Sequence, residues 1–236
     1  MNIALIGYGK MGKEIEQIIL QRGHTVTLRS TRSTPFQPRD LAGTDVAIEF
    51  TEPHSAVDNI RKCFEAGVPV VVGTTGWYTR MPEVREACAH MRSGLFTASN
   101  FSIGVNLLFK FNKELARIMR DFDDYAPSME EIHHTAKRDA PSGTAITLAE
   151  GILENYPSRE GWVNETTDDS HKLGILSRRE GEVPGTHIIR YTSAVDEIQL
   201  VHQAYNRKGF ALGAVKAAEF MQGKHGVFGM DDLMKG

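Results

Sequence analysis

The sequence has few cysteines and no long apolar run. Cys63 and Cys88 are the two cysteines among 236 residues, and neither stands in a CxxC or Cys/His spacing that binds zinc. We therefore expect two buried free thiols and no metal site. No apolar run approaches the roughly 20 residues of a transmembrane helix, and the N-terminus lacks a basic region and a cleavage site. These absences predict a cytoplasmic protein without a membrane partner.

An excess of positive charge is missing as well. Lys and Arg together number 27 against 30 Asp and Glu, which gives a formal net charge of -3. This balance gives no reason to expect a nucleic acid as partner. An anionic ligand would have to be held by local geometry.

The first hundred residues alternate short β-branched runs with stretches of helical periodicity. The predicted strands are Asn2–Ile6, 25–28, 46–50, 69–72 and 95–98, and the predicted helices are 11–22, 53–66 and 83–91. Alternation of this kind is typical of an α/β fold with a doubly wound parallel sheet.

After Asn100 the pattern changes. It predicts a helix over 105–119, a strand over 129–134, a helix that opens at Ser142, a polar loop over 155–182, strands over 186–192 and 197–203, and a helix over 211–221. Alternating strands of this type favour a mixed or antiparallel sheet. We expect a dinucleotide-binding domain formed by residues 1–102 and 210–236, and a second α+β domain over 103–209 that binds substrate and forms the oligomer contacts.

A GxGxxG motif, Gly7, Gly9 and Gly12, lies directly between the first predicted strand and the first helix. Glycines at these positions permit a tight turn, let a pyrophosphate approach the backbone, and let the helix pack closely. The helix start then offers free N–H groups to the phosphates. The alternative is a glycine turn that binds no nucleotide.

The residues after the second strand bear on the choice of cofactor. An NAD site usually carries Asp or Glu there, to bind the ribose 2′-hydroxyl. This chain has Arg29, Ser30 and Arg32, and no carboxylate until Asp40. The pattern favours NADPH over NADH, with use of both cofactors, or two arginines on a solvated loop, as alternatives.

Small and polar residues also follow the fourth and fifth strands, where open α/β sheets bind ligands. Gly73 and Thr75 follow one strand, and the run Ala98, Ser99, Asn100 and Phe101 follows the other. We expect them on the nicotinamide side of the cofactor, although simple turns would have the same composition.

The densest group of chemically active residues runs from Glu130 to Ala145. His133 and His134 end a strand, Lys137 follows in a loop, and a helix begins near Gly143 and Thr144. A helix start can hold a carboxylate with its N–H groups. The segment therefore offers a titratable acid, a cation and an anion site, against the alternative of histidines with a purely structural role.

These motifs, and above all the string His133-His-x-x-Lys137-x-Asp-Ala-Pro-Ser-Gly-Thr144, resemble the dihydrodipicolinate reductase family over nearly the whole chain. The resemblance implies a Rossmann-type domain, a homotetramer formed through the second domain, and NAD(P)H-dependent reduction of a cyclic imine dicarboxylate in diaminopimelate and lysine synthesis. It implies that His133 is the acid/base group and Lys137 its partner, and that His134, Gly143 and Thr144 hold the substrate carboxylates.

For the cofactor, the resemblance implies contacts from the following residues: Gly7, Lys10, Met11 and Gly12 on the pyrophosphate side, Gly73, Thr75 and 98–101 on the nicotinamide side, and Arg207 and Phe210 closing over it.

The sequence departs from the family pattern in two places: the acidic residue after the second strand is missing, and the segment over 179–203 is shorter, from which we expect fewer tetramer contacts. The alternatives are another two-domain NAD(P)-dependent dehydrogenase and a non-catalytic NADPH-sensing protein.

Overall fold

The structure is a computed structural model that describes residues 1–206 and 208–235. The strands are β1 (Asn2–Ile6), β2 (Thr25–Ser30), β3 (Val46–Glu49), β4 (Val70–Val72), β5 (Gly94–Thr97), β6 (Ala126–His133), β7 (Gly161–Val163), β8 (Lys172–Arg179), β9 (Thr186–Thr192), β10 (Glu197–Gln203) and β11 (Gly226–Phe228). The helices are α1 (Lys10–Gln21), α2 (Pro53–Glu65), α3 (Met81–His90), α4 (Ile103–Met119), α5 (Gly143–Leu153), α6 (Lys208–Met221) and α7 (Met230–Leu233). The chain forms two compact units: unit 1 is Met1–Ile103 with Lys208–Gly236, and unit 2 is Gly104–Arg207.

Unit 1 is built on a six-stranded sheet in the order β11-β5-β4-β3-β1-β2, and every pairing in it is parallel. Successive side chains of a strand point to opposite faces. Ile3 and Leu5 of β1 therefore pack with Ile15 of α1 and with α6 on one face, while Ala4 and Ile6 pack with α2 on the other. This arrangement confirms the predicted doubly wound parallel sheet.

The C-terminal segment adds elements that the sequence patterns did not predict. Strand β11 pairs with β5 at the edge of the sheet, and α7 follows it. Both are shorter than the windows over which hydrophobic periodicity is readable.

Unit 2 contains a mixed five-stranded sheet in the order β10-β9-β6-β8-β7. Strand β6 pairs antiparallel with β9 and parallel with β8, which confirms the expected second sheet. Met129 of β6 lies in one hydrophobic cluster with Ile175 of β8, Ile189 of β9, Leu108 of α4 and Leu148 of α5. This cluster is the core of the unit.

The prediction of a loop over 155–182 is wrong. Strands β7 and β8 lie inside this range, and β8 pairs with β6 along five residues. Only Leu173, Gly174 and Ile175 of β8 are buried, while its second half is partly or fully exposed. The pairing with β6 forms the strand although local composition favours a loop.

Two smaller expectations concern the cysteines and the membrane. Cys63 of α2 and Cys88 of α3 are both buried and unpaired, as predicted. Across residues 1–206 and 208–235, no helix combines the length and the apolar character needed to cross a lipid bilayer.

Candidate active site

The glycine turn of unit 1 has a geometry that only glycine permits. Gly7 has φ of 98°, and a Cβ atom there would lie 1.9 Å from the carbonyl oxygen of Phe50. A Cβ on Gly12 would lie 2.5 Å from the carbonyl oxygen of Gly7. The N–H groups of Gly7 and Tyr8 donate to the carbonyl oxygen of Ser30 at 3.0 and 2.9 Å. The turn is thereby held against the end of β2.

Space remains on the outer side of this turn. Gly9 precedes α1, and a Cβ at Gly9 would meet no atom within 4 Å. Lys10 and Met11 open the helix, and the first N–H groups of a helix have no partner within it. The turn can therefore accept a pyrophosphate with backbone groups.

A cavity of about 580 Å³ adjoins the turn. Its lining combines the glycine turn with residues that follow β2 and β3, among them Gly7, Gly9, Ser30, Thr31, Arg32, Thr51 and Asn59. The two arginines after β2 differ in placement. Arg29 donates from Nε to Glu16 at 2.8 Å, whereas Arg32 lines the cavity, pairs with Glu52 at 2.7 Å and is 81% exposed. Of the two arginines, Arg32 is therefore the one that lines the cavity, together with Lys62 of α2.

The residues after β4 and β5 divide into packing and exposed positions. A Cβ on Gly73 would lie 2.1 Å from Cζ of Phe50, so this glycine makes room for the ring. The ring of Phe101 is buried, 5.7 Å from that of Phe50. Asn100 accepts the N–H of Ser102 at 2.9 Å.

Thr75 and Ser99 are exposed, and Ala98 is half-buried. Phe210 lies half-buried in α6. Arg207 lies outside the described residues.

In unit 2, strand register brings a second set of polar side chains to one face of the sheet. Glu131 and His133 are two residues apart on β6 and so point to the same side. Glu131 lies opposite His187 of β9 and opposite Ser177 of β8. His133 lies opposite Arg179. Three strand positions that are distant in sequence, Ser177, Arg179 and His187, thus join His133 around one carboxylate.

That carboxylate is anchored from three sides. Its Oε1 accepts the backbone N–H of Ser142 at 3.0 Å, the hydroxyl of Ser177 at 2.9 Å and the guanidinium of Arg179 at 3.2 Å. Glu131 has no exposed surface. Burial alone would raise its pKa, but the contacts with His133, Ser142 and Ser177 outweigh burial and hold the pKa well below its usual range. Glu131 is therefore a buried anion.

The two imidazoles lie on the other side of Glu131. Its Oε2 is 3.2 Å from Nδ1 of His133 and 3.9 Å from Nε2 of His187, and the rings meet edge to face at 5.1 Å. Burial, followed by the charge of His133, lowers the pKa of His187 to about 3. His187 is thus neutral near pH 7. The three side chains offer potential metal ligand atoms within 4.8 Å of one another, a grouping that sequence spacing did not reveal.

Lys137 is held in the loop that follows β6. Its Nζ donates to both carboxylate oxygens of Asp139 at 2.9 and 2.8 Å. This hydrogen bond, opposed by partial burial, lowers the pKa of Asp139. Arg179 also binds the carbonyl oxygens of Lys137 and Asp139. The loop and the buried Glu131 therefore share one guanidinium.

The start of α5 is fixed to the same cluster. Ser142 caps the helix by accepting the N–H of Ala145 at 3.2 Å, and its hydroxyl lies 3.3 Å from Nε2 of His187. Gly143 is exposed, and a Cβ there would meet no atom within 4 Å. Thr144 and His134 are half-buried. An open helix start of this kind can bind a carboxylate.

Sequence analysis therefore missed the residues that support the predicted ones. Glu131 was detectable, because it lies two positions before His133 and so shares its face of the strand. Ser177, Arg179 and His187 come from strands whose pairing no local pattern reveals. The structure joins His133, Lys137 and the helix start through these residues.

The parallel sheet with its glycine turn, and the mixed sheet that carries a buried carboxylate beside a histidine, together define an NAD(P)-dependent oxidoreductase of two units. Comparison with known proteins narrows the class. Family models described as "Dihydrodipicolinate reductase, N-terminus" and "Dihydrodipicolinate reductase, C-terminus" match residues 1–101 and 104–234. The chain belongs to the dihydrodipicolinate reductase family, as its motifs predict.

Two similar proteins are both named 4-hydroxy-tetrahydrodipicolinate reductase. The one from Christiangramia forsetii is 45% identical over 99% of this chain and 98% of its own length. The one from Methanoculleus marisnigri is 39% identical over 80% of this chain and 75% of its own length. A solved structure, dipicolinate-bound dihydrodipicolinate reductase from Paenisporosarcina sp. TG-14, has a TM-score of 0.80 and 25% identity, with 98% of each chain covered. These relatives confirm the prediction of an NAD(P)H-dependent oxidoreductase.

Proposed function

We propose that this protein is a 4-hydroxy-tetrahydrodipicolinate reductase, which uses NAD(P)H to reduce a cyclic imine dicarboxylate to tetrahydrodipicolinate. The observation that carries the proposal is the buried Glu131–His133 pair next to the open start of α5, in a chain that matches a reductase of this name along its whole length. The Paenisporosarcina enzyme binds dipicolinate, which is a ring with two carboxylates.

Unit 1 fits a dinucleotide cofactor. The open face of Gly9 and the first N–H groups of α1, at Lys10, Met11 and Gly12, suit a pyrophosphate. When bound, NAD(P)H supplies the hydride. Among the described residues that follow β2 and line the cavity, Thr31 and Arg32 carry donors for an anion, while the hydroxyl of Ser30 donates to the carbonyl oxygen of Thr34 at 3.1 Å. We assign Arg32 to the 2′-phosphate and propose NADPH as the preferred cofactor, with Gly73, Thr75 and 98–101 on the nicotinamide side.

Unit 2 fits the substrate. The N–H of Gly143, the hydroxyl of Thr144 and the imidazole of His134 hold the two carboxylates. Lys137 adds a cation, for which a substrate carboxylate would compete with Asp139. Holding both ends of a small diacid fixes its orientation, and orientation supplies much of an enzymatic rate.

His133 then donates a proton where negative charge develops, as hydride reaches the ring carbon of the substrate. Lys137 stabilises the same charge through its ammonium group. Before this step the substrate loses its hydroxyl group and a hydrogen of the adjacent ring carbon together as water, which leaves the conjugated imine that accepts the hydride; the reduction then adds one hydride and one proton. His133 therefore ends the cycle without its proton and regains one from solvent.

The test is an NADPH-oxidation assay with 4-hydroxy-tetrahydrodipicolinate, set beside 2-oxo acids with ammonia. We expect turnover only with the former, and His133→Gln or Lys137→Ala should lower kcat by roughly 10²-fold or more while NADPH still binds. Near-normal turnover in both variants would remove the catalytic assignment. NADPH binding without turnover of any substrate would favour a sensing protein.

A homotetramer and a cytoplasmic location stay predictions. One observation supports oligomer contacts through unit 2: strand β10 lies at the edge of its sheet, and the backbone groups on the outer side of an edge strand can pair with another chain. Size-exclusion chromatography with light scattering measures the oligomer directly.

A further inference from the structure

The proposed chemistry leaves the most deeply buried charged group of unit 2 without a role. Glu131 has no exposed surface and Glu130, its neighbour, is 9% exposed, yet only Glu131 lies on the face of β6 that carries His133. An ionised carboxylate in such a place is costly unless it is fully bonded. Its charge is balanced by three donors that bind Oε1.

Those donors fix the carboxylate in one orientation. Ser142, Ser177 and Arg179 all donate to Oε1. Oε2 is then left to face the imidazoles. Oε2 of Glu131 and Nδ1 of His133 are both buried, and neither has another hydrogen-bond partner among the described residues. Since the two atoms lie 3.2 Å apart, they are placed to form a hydrogen bond with each other.

The opposite edge of the imidazole is kept open. A Cβ on Gly185 would lie 3.1 Å from Nε2 of His133 and 3.3 Å from its Cδ2. Any larger residue at 185 would press on the nitrogen that does not face Glu131. The ring therefore has one nitrogen directed at a buried anion and the other beside a position without a side chain.

We propose that Glu131 is a positioning residue: it keeps the proton of His133 on Nδ1 and thereby makes Nε2 the nitrogen that exchanges a proton with the substrate. A carboxylate in this place also stabilises the protonated imidazole. The role rests on the proposed function of His133 as the acid. Many enzymes orient a catalytic imidazole with a carboxylate in the same way.

The groups around Glu131 favour one of two possible roles. They favour an anion that orients the imidazole of His133, and they argue against a ligand for a metal ion. The titratable and charged groups around the Glu131–His133 pair come from every neighbouring element: His187 of β9, His202 of β10, Arg179 of β8, and Lys137 and Asp139 of the loop. His187 is neutral near pH 7, since burial and then His133 lower its pKa to about 3. Arg179, at 3.2 Å from Oε1, already neutralises the carboxylate.

Glu131→Gln tests the role, with Glu130→Gln as the matched control. Gln keeps the size of the side chain but offers an amide to Nδ1. We expect kcat to fall about tenfold or more, with the Kd for NADPH unchanged. The limb of the kcat–pH profile at which activity is lost on deprotonation should move to lower pH. Glu130 pairs with Arg178 and Arg190 instead, so its variant should keep the wild-type profile.

A folded Glu131→Gln enzyme with wild-type kcat and an unshifted profile would overturn the proposal. So would an equal shift in the Glu130→Gln control. Circular dichroism and NADPH binding establish that each variant is folded.

A measurement on the wild-type protein covers the case in which Glu131→Gln does not fold. Long-range nitrogen–proton NMR spectra report which imidazole nitrogen carries the proton, and comparison with His133→Gln assigns the signal. We expect the Nδ1–H tautomer in the neutral ring, whereas a dominant Nε2–H tautomer would overturn the proposal. Tight stoichiometric binding of Zn²⁺ that both Glu131→Gln and His187→Gln abolish would overturn it too. Neither readout needs a substrate, so both are independent of the proposed reaction.

Discussion

His187 should make unit 2 sensitive to acid. It is 4% exposed on β9, and burial followed by the charge of His133 lowers its pKa to about 3. In the unfolded chain a histidine has a pKa of about 6.5. Between these two values the unfolded state binds more protons than the folded state. The stability that neutral His187 contributes is therefore complete above about pH 6.5 and is lost as the pH falls.

The size of the effect follows from the same shift. Each pH unit within this window changes the free energy of unfolding by about 1.4 kcal/mol. From pH 6.5 to 4.5 the loss is about 2–3 kcal/mol. Glu131, whose pKa is depressed, contributes stability that is lost only below the ordinary pKa of a glutamate. A window above about pH 4.5 therefore excludes Glu131. Burial also lowers the pKa of His202, so the contribution of His187 is read from the difference between the parent and a His187 variant.

The assay is urea unfolding at several pH values between about 4.5 and 7.5. Trp77 lies in unit 1 and Trp162 in β7 of unit 2, so a Trp77→Phe background makes fluorescence a reporter of unit 2. In His187→Gln the loss of stability toward low pH should shrink by about 2 kcal/mol or more. The control His90→Gln changes an exposed residue of α3. Its loss of stability toward low pH should equal that of the parent. An equal loss in His187→Gln and the parent would refute the reasoning.

Two further predictions concern the cofactor. Arg32→Ala should raise the KM for NADPH and change the KM for NADH little. The rise should be modest, roughly three- to tenfold, because solvent partly screens an exposed cation. Equal losses for both cofactors would argue against a 2′-phosphate contact. Gly7→Ala should abolish cofactor binding in a calorimetric titration and lower stability by at least about 1–2 kcal/mol, because its Cβ would overlap the carbonyl of Phe50 at 1.9 Å; normal affinity in this variant would contradict the proposed turn.

Local periodicity was sufficient to predict the bounds of three strands. The predicted bounds of β1, β9 and β10 are those that the structure shows, because each alternates or runs apolar without interruption. Strand β8 was missed for a physical reason. Its Leu173 and Ile175 face the core, but its next two residues on that face are Ser177 and Arg179, which serve Glu131. A strand whose inward residues turn polar at a candidate site has the composition of a loop, and functional sites are where such local rules are broken.

The residues of the candidate site also divide into those that local sequence suggests and those that only strand pairing brings together. His133, Lys137 and Thr144 were predictable because they lie in one short segment, whose order alone suggests an acid, a cation and an anion site. His187 was not, because it joins the group only through the antiparallel register that sets it opposite Glu131. Arg29 pairs with Glu16, and its contact with the cofactor stays a prediction.

One carboxylate ties the parts of the candidate site together. Glu131 touches His133 directly, binds the N–H of Ser142 at the start of α5, and shares Arg179 with the loop that carries Lys137. His133, the start of α5 and the loop that carries Lys137 are therefore linked through a single buried group. A buried charge with several bonded partners is costly to leave half-satisfied. The network that costs free energy to bury thus links His133, the start of α5 and the backbone of the Lys137 loop, while the ammonium group of Lys137 is held by Asp139.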